Sequence, residues 1–383
     1  MKKVLQVVSA LRTGGAERVA VELAAGLQAR GWRSEIAVVS LQEHRSGTPF
    51  DEPLRTEALR RGIFVRDLAF PSIRDRAARK RVGKLLREGE YALLHAHNRT
   101  VDWQLAFLSR LSGIPFVYTR HLPYGDLSGR EKALYLGAAL TARKVIAISK
   151  TVEAHLLSSE KTPARKIRLI ENGVDVERIK PLGEDERKAK RKELGLGESD
   201  FAWLLAARLA RQKGQKYLLE AFARLPAGSR SVLLLAGEGP DETELKTLAQ
   251  SLSLGERVRF LGLRRDVPEL LGAADGFACA SLSEGLPLAI IEALAAGLPI
   301  VAPRLSSIED LEARGAIRFF GEKHGAWASA HDPAEIAKAV LEIEKNPIPA
   351  PLLIQTRDSV RRKYAVDAMV EAHERLYREI LGV

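Results

Sequence analysis

Short runs that are apolar at nearly every position alternate with longer amphipathic stretches along the chain. VLQVVSA, SEIAVVSL, FVRDLAF, YALLHAH, PFVYTRH and KVIAIS read as strands in the first half, and FAWLLAA, SVLLLAG, VRFLG, GFACAS and PIVAP in the second. Continuous apolar strands alternating with helices predict parallel sheets covered on both faces, so the fold class is α/β. Between the first two strands, Val19, Leu23 and Leu27 recur at helical spacing and Gly31 supplies a stop. The segment from Tyr364, YAVDAMVEAHERLYREILGV, is amphipathic through Met369, Ala372, Leu376 and Ile380. The two halves meet near Asn172–Pro181, and a charged run, GEDERKAKRKELGLGE, opens the second. No tandem repeat or low-complexity tract interrupts the alternation.

Length and composition sharpen this picture. The chain has 383 residues, enough for two full cores, with 46% hydrophobic and 28% charged residues. A single cysteine, Cys279, excludes an internal disulfide, suits a reducing compartment and sits in a core-like run. The start, MKKVLQVVSALRTGG, imitates a signal peptide, but its apolar run breaks into Arg12 and Gly14–Gly15, as a first strand would. We therefore expect a cytoplasmic protein. Net charge is +11, and residues 1–178 carry the whole surplus, with 31 Lys+Arg against 19 Asp+Glu. The surplus concentrates in RDRAARKRVGKLLREGE, a helix in which Val82, Leu85 and Leu86 underlie a cationic surface. That surface suits a solvated face, an anionic membrane or acidic glycolipid. Nucleic acid is disfavoured, because zinc-finger spacing, RNP-type aromatics and a basic zipper are all missing.

In open parallel sheets ligands bind beyond the carboxyl ends of the strands, which selects the loops that matter. SLSEGLPLAIIEALAAGLPIVAP places Glu284 in a turn, Pro287 at a helix start and Glu292 inside that helix, with a strand after it. The N–H groups of a helix start attract phosphate, and the two carboxylates accept from hydroxyls. The plain alternative is a buried helix that tolerates one Glu. Gly14 and Gly15 follow the first strand and let backbone approach a substrate, or merely make a turn. His95 and His97 share one strand face and could pair on a metal, yet no third ligand lies near in sequence. A structural role, with one histidine bonded to backbone, is the other reading. Asn98 follows them, and His121 ends the next strand. Arg208 and Lys213 flank a strand end just before Gly214, with Arg211 between them facing solvent. Gly237-Glu238-Gly239-Pro240 forms a turn after SVLLLAG.

Glu284 and Glu292 stand in the E-x7-E spacing, and with Arg208-Leu209…Lys213-Gly214, Gly237…Pro240 and Asn172-Gly173-Val174-Asp175 the chain resembles retaining GT-B glycosyltransferases of family four from Met1 to its last helix. The resemblance implies two Rossmann-like domains facing across a cleft. An acceptor domain would span 1–176, a nucleotide-sugar domain 177–363, and the helix 364–383 would cross back onto the first. It implies that Glu292 binds the ribose, Glu284 the sugar hydroxyls, and Arg208 and Lys213 the diphosphate. Gly237, Gly239, Gly285 and Leu286 would line the donor, and Gly14, Gly15, His97 and Asn98 the acceptor and phosphate side. His121 resembles the family's active-site histidine, which contacts the donor sugar and orients the acceptor.

The chain contains no Asp-x-Asp motif, so a metal-held diphosphate is not expected and no metal or other cofactor is required. No second carboxylate is evident opposite Glu284 to act as a nucleophile, so the family mechanism implied is a front-face, ion-pair-like step with retention. The expected donor is a nucleotide-sugar, a UDP-sugar ahead of a GDP- or ADP-sugar. The expected acceptor is a bacterial surface glycan, either lipopolysaccharide core or a lipid-linked oligosaccharide. The protein would sit peripherally on the inner face of the cytoplasmic membrane through its basic first half. A soluble acceptor, or a non-catalytic binding protein on the same scaffold, are the alternatives.

Overall fold

The computed structural model describes residues 2–12, 14–39, 52–68, 75–123, 125, 127–311 and 313–383. The ends of two expected strands, Ser40–Leu41 and Ala69–Phe70, and Arg74 of the basic run lie outside the described residues. Residues 1–173 with 366–383 make one compact unit, and 174–365 make the other.

In the first unit the elements are β1 (Lys3–Val8), α1 (Gly15–Ala29), β2 (Arg33–Val38), α2 (Pro53–Arg60), β3 (Val65–Asp67), α3 (Arg76–Glu88), β4 (Leu93–Ala96), α4 (Arg99–Ser112), β5 (Phe116–Arg120), α5 (Gly129–Thr141), β6 (Lys144–Ala147), α6 (Lys150–Ser158) and β7 (Ile167–Leu169). The strands form one parallel sheet in the order β3-β2-β1-β4-β5-β6-β7. Val4, Leu5, Val7, Leu93, Leu94, Val117 and Ile146 are fully buried, because helices cover both faces. Side chains fix where several helices begin. Asp75 accepts from the Ala78 N–H at 2.9 Å, and Ser128 and Glu131 make a reciprocal capping box on α5. Gly113, at φ +72°, closes α4 in the left-handed conformation that favours glycine.

The second unit runs α7 (Glu184–Glu193), β8 (Phe201–Ala206), α8 (Gln215–Phe222), β9 (Ser231–Ala236), α9 (Glu242–Ser251), β10 (Val258–Gly262), α10 (Val267–Ala273), β11 (Gly276–Ala278), α11 (Leu288–Ala295), β12 (Ile300–Leu305), α12 (Ser306–Glu309), β13 (Ile317–His324), α13 (Pro333–Lys345) and α14 (Ala350–Lys363). Its sheet is also parallel, in the order β10-β9-β8-β11-β12-β13. The charged run 183–198 contains α7, and the apolar stretch after Pro287 forms α11 followed by β12. No described helix is long and apolar enough to cross a membrane. Two strands escape the apolar-run reading, β7 and β13, and both are sheet edges. Their sequences, IRL and IRFFGEKH, mix charge with apolar residues because only one neighbour pairs with them.

The final helix, α15 (Val366–Leu381), packs on α1 of the first unit. A Cβ on Gly26 would lie 2.5 Å from Val370, so the absence of a side chain there allows the close approach. Trp32 Nε1 donates to Glu374 at 3.1 Å, and Arg30 and Arg378 hold the same carboxylate. The buried face of α15 is Met369, Val370, His373, Glu374, Leu376 and Tyr377. Ala372 and Ile380, expected in that stripe, are half-buried at its margins.

Candidate active site

In each sheet the chain reverses its winding direction beside the unit's first strand. β1 lies between β2 and β4, and β8 lies between β9 and β11. Loops leaving adjacent strands at such a point diverge to opposite faces and leave a crevice at the carboxyl ends. The sequence-derived candidates lie at or just beyond the carboxyl ends of β1, β4 and β5 in the first unit and of β8, β9 and β11 in the second, in two separate groups.

The second unit holds one group. After β8 the chain carries Arg208, exposed and in no ion pair among the described residues, and then Lys213 and Gly214. Lys213 Nζ donates to Glu284 Oε1 at 2.7 Å. Gln212 seals the same seam, its Nε2 donating to Ser283 O at 2.9 Å and its carbonyl accepting from Leu282 N at 2.7 Å. Gly214 makes this approach possible. Its φ is +68°, and a Cβ there would sit 1.8 Å from the Ala280 carbonyl oxygen at the end of β11. Buried Gln215 donates to Arg208 O at 2.9 Å and fixes the loop's other end.

Gly237 and Gly239 bring the turn after β9 against this loop. A Cβ on Gly237, at φ +143°, would meet Ala207 O at 2.1 Å, and one on Gly239 would meet Leu209 O at 2.1 Å. Leu209 N donates to Glu238 O at 3.0 Å across the contact. Glu284 is 7% exposed, with Gly285 and Leu286 buried beside it. Pro287 precedes α11, whose first turn has no side-chain cap, and Glu292 lies half-buried one turn farther on. Burial works against the charge on Lys213, but Glu284's charge and hydrogen bond outweigh it, so the ammonium pKa is raised. Cys279, at the end of β11, is buried, and burial raises its thiol pKa.

The first unit holds the other group. Asn98 Oδ1 accepts from Ser9 N at 2.7 Å, and its amide reaches Glu17 at 3.5 Å, tying the end of β4 to β1 and α1. Gly14 caps α1 beneath the Glu17 carboxylate, where a Cβ would lie 2.0 Å from Oε2, and Gly15 is the exposed first helical residue. His95, His97 and His121 come together in one column that a fourth ring, His373 of α15, extends. Successive centroids lie 5.6 Å (His373–His95), 4.0 Å (His95–His97) and 5.7 Å (His97–His121) apart, with planes tilted by 31° to 37°. His95 bonds Tyr377 Oη at 2.5 Å and Thr119 Oγ1 at 2.7 Å, so side chains rather than backbone hold it. His97 Nε2 donates to Gln6 Oε1 at 2.8 Å, and His373 Nδ1 donates to Met369 O at 2.9 Å.

Burial, reinforced by the neighbouring imidazoles, holds His95 and His97 neutral well below the ordinary histidine range. Burial brings His121 down to about 3, helped by His373 and Arg120, and brings His373 to about 4. Among the described residues no group of three His, Cys, Asp or Glu is placed to hold a metal.

Beside His121, Arg120 is fully buried. It donates to Asp102 at 2.7 Å and to Glu160 at 2.8 Å. Burial, only partly offset by Arg120, pushes the Asp102 carboxyl up to about 7. This triad and the pair His373–Tyr377 are invisible to motif reading. Asp102 and Glu160 lie 18 and 40 residues from Arg120, and His373 belongs to another element altogether. One signal was available: a histidine in the buried stripe of a terminal amphipathic helix is a polar group that needs partners.

Comparison with known proteins bears on both groups. Residues 13–178 match the family described as Glycosyltransferase Family 4, and residues 186–363 match Glycosyl transferases group 1. An Escherichia coli protein named UDP-Gal:alpha-D-GlcNAc-diphosphoundecaprenol alpha-1,3-galactosyltransferase is 31% identical over 58% of this chain and 60% of its own length. A D-inositol 3-phosphate glycosyltransferase of Salinispora arenicola is 29% identical over 66% and 60%. The chain thus spans about three fifths of the length of these two relatives. Among solved structures, Anabaena Alr3699/HepE in complex with UDP and glucose aligns over 100% of both chains at TM-score 0.80 and 22% identity, a likeness of fold.

Proposed function

Because the chain belongs to the group 1 and family 4 glycosyltransferases, we propose that it moves one sugar from a nucleotide-sugar, a UDP-sugar first, to a membrane-held bacterial glycan such as lipopolysaccharide core or a lipid-linked oligosaccharide. The observation that carries this reading is the seam of the second unit. There exposed Arg208, the Lys213–Glu284 pair and the uncapped start of α11 rise from neighbouring strand ends. Two cations and a helix start suit a diphosphate, and flanking carboxylates suit sugar hydroxyls. The glycan and donor choices take their support from what the E. coli relative is named for and from the UDP in the Anabaena structure.

The mechanism proposed is metal-independent and retaining. Charge grows on the diphosphate as the glycosidic bond breaks, and Arg208, Lys213 and the α11 start would meet it, the largest catalytic contribution available here. A donor phosphate oxygen would take the acceptor proton on the face the leaving group vacates. His121, neutral at working pH, would exchange hydrogen bonds with sugar hydroxyls, Glu284 would position the sugar and Glu292 the ribose. The cationic face of α3 would hold the protein at the anionic inner face of the cytoplasmic membrane, each Lys or Arg contributing roughly 1 kcal/mol. A soluble acceptor is the second reading, favoured by the likeness to the inositol-phosphate enzyme.

The test is a nucleotide-sugar screen in EDTA, read by thermal shift and nucleoside-diphosphate release. Wild type would be compared with Glu292→Ala and with Arg208→Ala/Lys213→Ala. One donor that stabilises or turns over with the wild type alone supports the assignment. A donor that binds all three equally, or no donor binding at all, overturns it.

A further inference from the structure

Helices on the outside of an α/β unit normally turn polar and charged residues to water. α4 and α5 also turn large apolar side chains outward. Phe107 and Leu111 of α4 are 39% and 67% exposed, and Leu134 and Leu140 of α5 are 39% and 52% exposed. On α4 the half-buried Trp103 joins Phe107 and Leu111 at four-residue spacing, so the three share one stripe. On α5 the outward positions Ala133, Leu134, Gly137 and Leu140 form a second stripe. The two helices pack side by side, and a hollow between Arg110 and Gly137, Leu140 and Thr141 joins their outer faces. Adjacent apolar stripes of this kind mark an interaction surface, because single exposed leucines are common and contiguous ones are not.

The charges around the stripes say what covers them. Arg110, Arg130 and Lys132 are exposed on these helices, and α4 packs on its other side against α3, which presents Arg76, Lys80, Lys84 and Arg87 to solvent. The acidic side chains of the pair are spoken for. Asp102 is buried on Arg120, and Glu131 is held by Arg99 and the α5 cap. On α3, Glu88 faces Lys84 at 3.7 Å, which leaves Arg76, Lys80 and Arg87 as the cationic border. An apolar face with such a border, whose own two carboxylates are paired, complements an anionic bilayer, which offers acyl chains beneath negative headgroups.

We propose that the α4–α5 face is a membrane-docking surface that inserts Phe107, Leu111, Leu134 and Leu140 into the headgroup boundary of an anionic leaflet, with the α3 cations beside it on the phosphates. The inference rests on the membrane reading of the acceptor but goes further, since attraction through α3 alone needs no insertion. Salt separates the two, because screening weakens headgroup attraction and leaves apolar burial intact.

The experiment is co-sedimentation of the full chain with vesicles of phosphatidylcholine containing phosphatidylglycerol, at low salt and near 0.5 M salt. Wild type is compared with Leu111→Gln/Leu140→Gln and with Lys80→Gln/Lys84→Gln/Arg87→Gln. Wild type should retain a salt-resistant bound fraction. The leucine pair should lower high-salt partitioning by about tenfold or more, while the α3 variant lowers low-salt binding. These side chains are exposed, so melting temperature and donor binding should match wild type. Complete release by salt with no effect of the leucine pair overturns the insertion and spares the membrane reading. No vesicle binding at all overturns both. A leucine variant that converts a dimer to a monomer in light scattering, with vesicle binding unchanged, overturns the proposal in favour of a contact between copies.

Discussion

Replacing Lys213 by Met should expose how much the second unit depends on the seam between its strand-end loops. Lys213 Nζ lies 2.7 Å from Glu284 Oε1, and the two side chains are 28% and 9% exposed. Breaking a fully buried ion pair costs about 3–5 kcal/mol, because the surviving charge keeps its desolvation penalty. Exposed pairs contribute under about 1 kcal/mol. Glu284 belongs to the first case and Lys213 sits between them, so Lys213→Met should cost about 2 kcal/mol. In a unit of this size that lowers the melting temperature by roughly 4–8 °C. Glu284→Gln should cost less, since the amide oxygen still accepts from the ammonium. The double variant should be at least about 1 kcal/mol more stable than the sum of the single effects, because the stranded carboxylate is gone. The pH dependence has a definite sign. The folded Lys213 pKa is raised, so the pair's contribution is fully present below the ordinary lysine value and is lost only as pH rises through the raised one. The gap between wild type and Lys213→Met should therefore stay flat from neutral to mildly alkaline pH. Thermal melts of the four proteins without donor test this. Additivity within about 0.5 kcal/mol would refute the coupling.

Two further outcomes follow from the same geometry. Gly214→Ala should unfold or loosen the seam and abolish donor stabilisation, since its Cβ would lie 1.8 Å from the Ala280 oxygen. Gly31→Ala, at φ +82° with nothing within 4 Å, should cost only the left-handed strain of about 1–2 kcal/mol; equal melting temperatures for the two variants would contradict the close-approach argument. The histidine column predicts an acid-side loss of stability. His373 falls from 6.5 to about 4 on folding, so its contribution is whole above the unfolded value and is lost as pH falls from about 6.5 toward 4. Each such histidine adds a slope of up to about 1.4 kcal/mol per pH unit, and His373→Asn should reduce the slope in urea titrations by one histidine's worth.

The eleven runs read as strands correspond to β1–β6 and β8–β12; nine are interior strands, whose burial on both faces advertises them, and β3 and β10 are edges. The edge strands β7 and β13 stayed hidden because one-sided pairing lets charge into their sequences. The glycines of the donor-side loops were legible as turn formers. Their reason was not, since it lies in carbonyl oxygens of neighbouring strand-end segments that would lie within 2.1 Å of a Cβ at these positions. Likewise Lys213 and Glu284 could each be read as ligand-facing residues. That they meet one another, 71 positions apart, follows from the pairing of β8 with β11.

Local sequence was enough for the α/β class, the two-sheet alternation, α11 with Glu284 before it and Glu292 inside it, and the concentration of basic charge in the first half. These depend on periodicity, turn chemistry and composition, which act over a few residues. Tertiary structure alone decided that His373 of α15 completes a column with His95, His97 and His121, that Arg120 is shared by Asp102 and Glu160, and that α4 and α5 join their apolar outer stripes. Each of these brings together groups on different elements, and burial then sets their charge. Distance across a sheet is a property of strand order, and no short window of the chain contains it.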